Sequence, residues 1–282
     1  MRKLLTYSAL SLALLISYNG CKKQTEVEEE TTLKPPACLI ATKTTKESVS
    51  SYQQSQLDLE TVTIGNESVQ VSTTQKSVYS YDTKGRILTE YNAYSGAKYD
   101  SVLYKYTAGA VTIRTINLTD KTFQTEVLKL NKQGLAEKLI NGPFPTSYNA
   151  SYDQDGYLTS LTDYYGVPEK IENGNVIQWV FTLEGPGTGD FPYIYSYDLT
   201  KPGLPPIKLF YGKSPRNLRT KYTVQQTDYK QTGPVKYTVT YTYVFDDIGR
   251  VKRQIEEEKD SGYIFGGNDG KVTVTDFTYL CP

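Results

Sequence analysis

Lys236 to Phe245 reads K-Y-T-V-T-Y-T-Y-V-F. Tyr237, Val239, Tyr241, Tyr243 and Phe245 share one parity; Lys236, Thr238, Thr240 and Thr242 share the other. Side chains alternate between the two faces of a strand, so this segment has one apolar face and one wet face. The pattern recurs at Tyr79 and Tyr81, at Val102, Tyr104 and Tyr106, at Tyr148 and Tyr152, and at Tyr193, Tyr195 and Tyr197. Thr, Tyr and Val dominate these runs, and all three favour strands. No stretch beyond residue 20 sustains i, i+3, i+4 spacing with helix caps. The expected fold is all-β: an antiparallel meander of repeated hairpins, forming a curved sheet or a soluble barrel with a Tyr-lined inner face.

The turns repeat as well. Asp82-Thr-Lys-Gly85, Asn131-Lys-Gln-Gly134, Asp153-Gln-Asp-Gly156 and Asp246-Asp-Ile-Gly249 each place Asp or Asn three residues before Gly. An Asx side chain at the first position caps a type I turn through the backbone downstream of it. The glycine then takes positive φ and closes a bulged hairpin. Gly85, Gly134, Gly156 and Gly249 are therefore expected at φ > 0. Looser turns lie at Thr107-Ala-Gly109 and Asn173-Gly174-Asn175. Residues 184–192 and 200–217 are rich in Gly and Pro and read as long loops or edge coverings rather than interior strands.

The N-terminus reads as an address. Arg2 and Lys3 precede an apolar stretch, Leu4 to Ile16, that is too short to span a bilayer but suits a signal peptide. Gly20-Cys21 closes it in the manner of a bacterial lipobox, although Tyr18 and Asn19 depart from the usual residues. Residues 1–20 are expected to be removed and Cys21 acylated, with an ordinary secretory signal as the alternative. The remaining chain then holds 29 basic and 31 acidic residues, a net charge of −2. Residues 21–37 form a polar, charge-rich tether, and 38–282 a single β domain. Glu26 to Glu30 are either a surface-export signal or a solvated spacer. Of three cysteines, Cys38 and Cys281 remain for one possible disulfide, which would pin both ends of the domain. Chain entropy gives such a long loop up to about 5 kcal/mol.

Tyr81-Asp-Thr-Lys-Gly-Arg-Ile and Phe245-Asp-Asp-Ile-Gly-Arg-Val resemble the Y-D-x-x-G-R-L core of YD (Rhs-type) repeats, with weaker copies at 128–135 and 152–158. The wider pattern, a lipobox, a tether and Y-x-Y strands with D-x-x-G turns, is similar to that of uncharacterised Bacteroidota lipoproteins with a porin-like or meander β domain of unknown function. The resemblance implies an outer-membrane lipoprotein, facing the periplasm or the surface, and no activity. A bilayer-spanning barrel is not expected, because the polar parity is Thr, Lys and Ser.

Composition excludes several chemistries. There are no histidines, so imidazole-based triads and His-ligated metals are absent. Lys+Arg and Asp+Glu both total 31, which gives no basic excess for a nucleic-acid partner. No cofactor or metal motif is present. Asp82, Asp153, Asp155, Asp246 and Asp247 sit at or beside turn tips and read as turn residues rather than paired catalytic acids. Asp100-Ser101-Val102 matches a Bacteroidota O-glycosylation tripeptide at Ser101. Trp179 and the tyrosines suit either a core or a glycan-stacking platform. The expected function is a non-enzymatic, lipid-anchored envelope protein that binds a glycan, a peptide or an outer-membrane protein. One alternative is a carrier of an apolar ligand in the barrel. The other is a carboxylate-dependent hydrolase using Glu184, Asp190 and Lys213 in the Gly/Pro-rich loops.

Overall fold

The computed structural model describes residues 36–49, 59–95, 98–141, 149–162, 167–183, 189–213, 215–226, 235–260 and 270–281. Strands dominate: β1 (Leu39–Ser48), β2 (Leu59–Ile64), β3 (Glu67–Tyr81), β4 (Ile87–Tyr94), β5 (Lys98–Thr107), β6 (Ala110–Asn117), β7 (Phe123–Leu130), β8 (Ala136–Asn141), β9 (Asn149–Tyr152), β10 (Leu158–Thr162), β11 (Val167–Glu172), β12 (Asn175–Leu183), β13 (Gly189–Pro202), β14 (Asn217–Gln226), β15 (Val235–Phe245), β16 (Val251–Asp260) and β17 (Val272–Leu280). From β3 to β17, neighbours in sequence are neighbours in one antiparallel sheet. β1 then pairs with both β17 and β3, which brings the sheet round into a nearly closed, barrel-like circuit of sixteen strands. Cyclic pairing removes the exposed edges that would otherwise invite association. Among the described residues β8 and β9 share one register pair, Lys138 opposite Asn149.

Local chemistry accounts for the hairpins. Asp82 Oδ1 accepts the amides of Lys84 and Arg86, both at 2.9 Å, and Gly85 N–H donates to the Asp82 carbonyl at 3.0 Å. Asn131 and Asp246 hold the same bonds. Gly85, Gly134, Gly156 and Gly249 have φ of 73°, 77°, 84° and 83°. The β3–β4, β7–β8 and β15–β16 ladders each shift register beside their turn, the mark of a bulged hairpin. Partial burial pushes the Asp82 carboxyl up, but the backbone and side-chain bonds from Arg86 outweigh it and hold the group below its usual range.

The tyrosines do more than fill space. Tyr81 donates its hydroxyl to the Ile40 carbonyl at 2.8 Å, and Tyr152 to Ala136 at 3.0 Å. Tyr197 donates to Val176, Tyr243 to Arg219 and Tyr279 to Val251, all at 2.7 Å or less. In each case an inward ring ties its strand to a carbonyl of an adjacent one. Phenylalanine would pack there but could not make that bond, which explains the Tyr excess on the lumen parity.

Residues 203–213 and 215–216, between β13 and β14, fold into the turn end of the barrel. Gly203 N–H bonds to the Arg216 carbonyl at 2.8 Å and closes the loop. Phe210, 2% exposed, packs with Ile87, Val102, Tyr104, Val111 and Leu128. Ile207 joins that cluster to a second one built on Ile40, Leu218, Val251 and Phe277. Lys213 N–H donates to the Gly156 carbonyl at 2.9 Å. Gly212 (φ 87°) passes so close that a Cβ would lie 2.6 Å from the Tyr152 ring. The loop is thus a plug rather than a surface covering. The Gly/Pro-rich reading needs a second correction: Gly189 to Pro192 and Thr200 to Pro202 belong to β13, where Phe191 pairs with Phe181. Pro192 is tolerated within the ladder opposite Val180.

A third cluster lies outside the barrel. Lys43 faces the lumen opposite Phe277 and Ser77, so Lys46, three residues on, faces out. Val272, Val274 and Ile255 share that outer face and are buried by Val62 of β2 and Val71 of β3. The β2–β3 hairpin therefore folds back over the outer wall formed by β16, β17 and β1. Lys46, Glu60, Arg253 and Asp276 form a four-membered ion cluster at its margin.

Candidate functional site

The described surface holds a cleft of about 530 Å³ on β4–β7, at the end opposite the plug. Its base is the β6–β7 turn. Asn117 Oδ1 accepts the amides of Thr119 and Asp120, and Asp120 Oδ1 accepts the amide and hydroxyl of Thr122 at 2.9 and 2.6 Å. Those bonds from Thr122 hold the Asp120 carboxyl below its usual range. Lys121 takes the left-handed φ of 61° that lets the turn close. Leu118 N–H bonds to the Tyr99 carbonyl at 3.0 Å and fixes the turn against β5.

Onto this base the strands project three exposed rings: Tyr94, Tyr99 and Phe123, the last 60% exposed. Tyr91 stacks on Tyr99 with ring centres 6.2 Å apart, and the Arg114 guanidinium lies 4.2 Å from the Phe123 ring centre. Tyr91 and Tyr99 face outward; Asp100, Thr115 and Gln124 lie on the lumen parity of the same strands. Asp100 accepts Asn92 Nδ2 at 2.7 Å and the Tyr94 hydroxyl at 2.9 Å. Burial, followed by that bonded carboxylate, pushes the Tyr94 phenol up to about 12. The cleft therefore presents aromatic faces beside fixed oxygens and amides. Rings of this kind stack on apolar C–H faces, while carboxylates and amides fix hydroxyls.

Inside the barrel, Tyr193, Tyr195, Tyr222, Tyr237 and Tyr241 form a continuous set of ring contacts on β13–β15. Arg219 lies among them, 4.3 Å from the Tyr195 ring centre, with a buried Nε that lacks a hydrogen-bond partner. Burial pushes the phenols of Tyr79 and Tyr195 up to about 12, so they stay protonated.

The residues singled out from sequence fall as follows. Cys38 and Cys281 form a disulfide with Cα atoms 4.4 Å apart. Arg250 Nη1 donates to Cys281 Sγ at 2.7 Å, so the Asp246 turn rests on that bond. Asp82, Asp153 and Asp246 sit in separate turns, and Asp155 lies 3.8 Å from Arg216. Ser101 is half-buried on the outer face of β5, opposite Tyr91. Trp179 pairs with Tyr193 across β12–β13. Asp190 lies in β13, and Lys213 in the plug sits 5.0 Å from the Tyr157 ring centre. Cys21, Tyr148 and Glu184 lie outside the described residues. The cleft was missed from sequence. Its signal is Tyr99, which breaks the parity of Val102, Tyr104 and Tyr106, followed by the Asx-rich Asn117-Leu-Thr-Asp-Lys-Thr122.

No protein-family model matches the chain, and no curated protein matches it in sequence. Among solved structures it is similar to a porin-like protein from Bacteroides uniformis. The identity is 14%, the TM-score is 0.49, and the match covers 87% of this chain and 99% of the other.

Proposed function

We propose that this chain is a non-enzymatic binding protein, held in the outer membrane by acylated Cys21, whose cleft on β4–β7 receives a neutral glycan. The observation that carries the reading is the set of exposed rings, Tyr94, Tyr99 and Phe123, beside Asp100, Asn117, Asp120 and Gln124. A sugar offers both an apolar face for the rings and vicinal hydroxyls for the carboxylates and amides. The outer parity supports a wall that faces water: Lys76, Lys105, Arg114, Lys129 and Lys221 are exposed along it. Charges in those positions would be costly against lipid chains. The Y-D-x-x-G turns, for all their likeness to YD repeats, serve as hairpin caps and strand ties.

A panel of neutral polysaccharides tests the proposal. Saturable binding without product is expected. Tyr99→Ala and Phe123→Ala should each weaken it about tenfold, roughly 1.4 kcal/mol, with unchanged thermal midpoints. Failure of every glycan to bind would remove the reading. Turnover abolished by Asp190→Asn or Glu184→Gln would instead favour the hydrolase. For the anchor, labelled palmitate should enter the wild-type chain and not Cys21→Ser; equal labelling would exclude acylation at Cys21.

A further inference from the structure

The inner side of the plug borders a second, widely open hollow of about 360 Å³, distinct from the cleft on β4–β7. Its floor is Pro206, Ile207, Lys208 and Tyr211 with Gly212 and Lys213; its walls are Lys43 from β1, Tyr79 from β3 and Glu90 from β4. The volume falls in the range of small-ligand sites, ~300–1,000 Å³. The floor is built rather than incidental, because Phe210 is sunk in the core beneath it and Gly212 is wedged against Tyr152.

Its charges do not balance. Glu90, with a side chain 13% exposed, is satisfied within the protein: Lys208 Nζ lies 3.0 Å from one oxygen, and the Tyr104 hydroxyl donates to the same oxygen at 2.9 Å. That pairing neutralises Lys208 and leaves Lys43 and Lys213, the latter with its ammonium 5.0 Å from the Tyr157 ring centre. Lys43 has no carboxylate within ion-pair distance among the described residues. Glu256 lies within electrostatic reach of Lys43 and of Arg219. Its carboxylate accepts Gln254 Nε2 at 2.5 Å. Arg219, further along the same lumen, also makes no ion pair among the described residues, and its Nε is unpaired. Glu258, on the same parity of β16, lies among Tyr222, Tyr237 and Glu256, so the carboxylates of this lumen gather on β16, while Lys43 and Lys213 stand at the plug among protonated phenols that meet a ligand as neutral groups.

We infer that the lumen floor is an anion site, in which the carboxylate of a small organic acid or acidic sugar pairs with Lys43 and takes a hydrogen bond from the Tyr79 hydroxyl. A carboxylate suits the site because Lys43 supplies a point charge and the Tyr79 phenol a directional donor. The inference does not depend on glycan binding at the β4–β7 cleft, which carries no lysine or arginine in its lining.

Calorimetric titration with D-glucuronate, and with D-glucose as the neutral control, provides the test. Glucuronate should bind saturably, at least tenfold tighter than glucose, and should weaken as sodium chloride is raised. Lys43→Gln should lower glucuronate affinity at least tenfold and leave binding at the β4–β7 cleft unaltered; Lys43→Arg should retain most of it. Circular dichroism melting separates lost binding from lost fold. If Lys43→Gln does not fold, the salt dependence and the glucose comparison on the wild-type chain decide alone. Equal affinity for the two sugars, no binding of glucuronate, or full affinity in a folded Lys43→Gln would overturn the site.

Discussion

Two apolar stretches of the barrel's outer wall are treated differently by the protein. Over β16, β17 and β1, Ile255, Val272 and Val274 are sealed beneath the β2–β3 hairpin, with Val274 fully buried. Over β3–β7, Val78, Tyr91, Tyr99, Leu103 and Phe123 are left at 38–60% exposure. The covered wall is a second hydrophobic core, bounded by ion pairs. The uncovered wall runs into the cleft through Tyr99 and has nothing of its own chain upon it among the described residues. If the wall faces water, as proposed above, contiguous exposed apolar surface marks an interaction surface, whereas the sealed wall belongs to stability.

This contrast can be broken by experiment. The largest effect should come from Val274→Asp, which buries an unpaired carboxylate under the hairpin; a loss of about 3 kcal/mol or more is expected in urea denaturation. Leu103→Asp, the same change in kind on the uncovered wall, should stay within ~0.5 kcal/mol. Comparable losses would erase the distinction. Next is Arg253→Met, which leaves Glu60 and Asp276 sharing Lys46; about 1–3 kcal/mol should be lost at low salt, and a loss that vanishes would make the ion pairs ornamental.

Acid sharpens the same point. The bond from Lys46, then that from Arg253, holds the Glu60 carboxyl below its usual value. Burial pushes Asp276 up, but bonds from Arg253 and Lys46 outweigh it and leave that group lowered too. A carboxylate lowered by folding stabilises fully above its ordinary value, 4.5 for Glu60 and 3.8 for Asp276. The contribution disappears as pH falls through the lower folded value. The melting midpoint should therefore drop below about pH 4, and drop less steeply in Arg253→Met. A parallel fall in both proteins would place the acid sensitivity elsewhere. The smallest effect is expected from Tyr91→Thr, within ~0.5 kcal/mol of wild type; a large loss would mean that the exposed stack is structural.

The hairpins were legible because their determinants are local. Asp82 and Gly85 are three residues apart and fix the same turn wherever the sheet goes. The inward face was legible for the same reason, as Tyr237 to Phe245 carry it on one strand. What escaped depends on residues far apart. β1 meets β17 through pairs such as Lys46 with Val274, and no spacing rule spans that distance. The covered wall did leave a trace: in β17 the apolar parity changes from Val272 and Val274 to Phe277 and Tyr279, so the strand is buried on opposite faces along its length. Alternation says which residues share a face, but not what will cover it. Residues 200–217 misled through composition. Their Gly and Pro do allow an irregular path, but Phe210, Ile207 and Leu204 draw that path into the core.

The Cys38–Cys281 bond also decides how the domain would carry load. Tension on the segment before Pro36 enters at Cys38 and divides there between the β1 backbone and, through the sulfurs, the end of β17. Residues 38–281 form one covalent loop, and β1 cannot be peeled from β17 at its pulled end without stretching that loop. Force instead loads two strands together, along ladders that must shear many hydrogen bonds at once rather than unzip them singly. A protein hauled by its N-terminal segment would transmit the pull as a rigid body, and reduction of that one bond should lower the force at which the barrel opens.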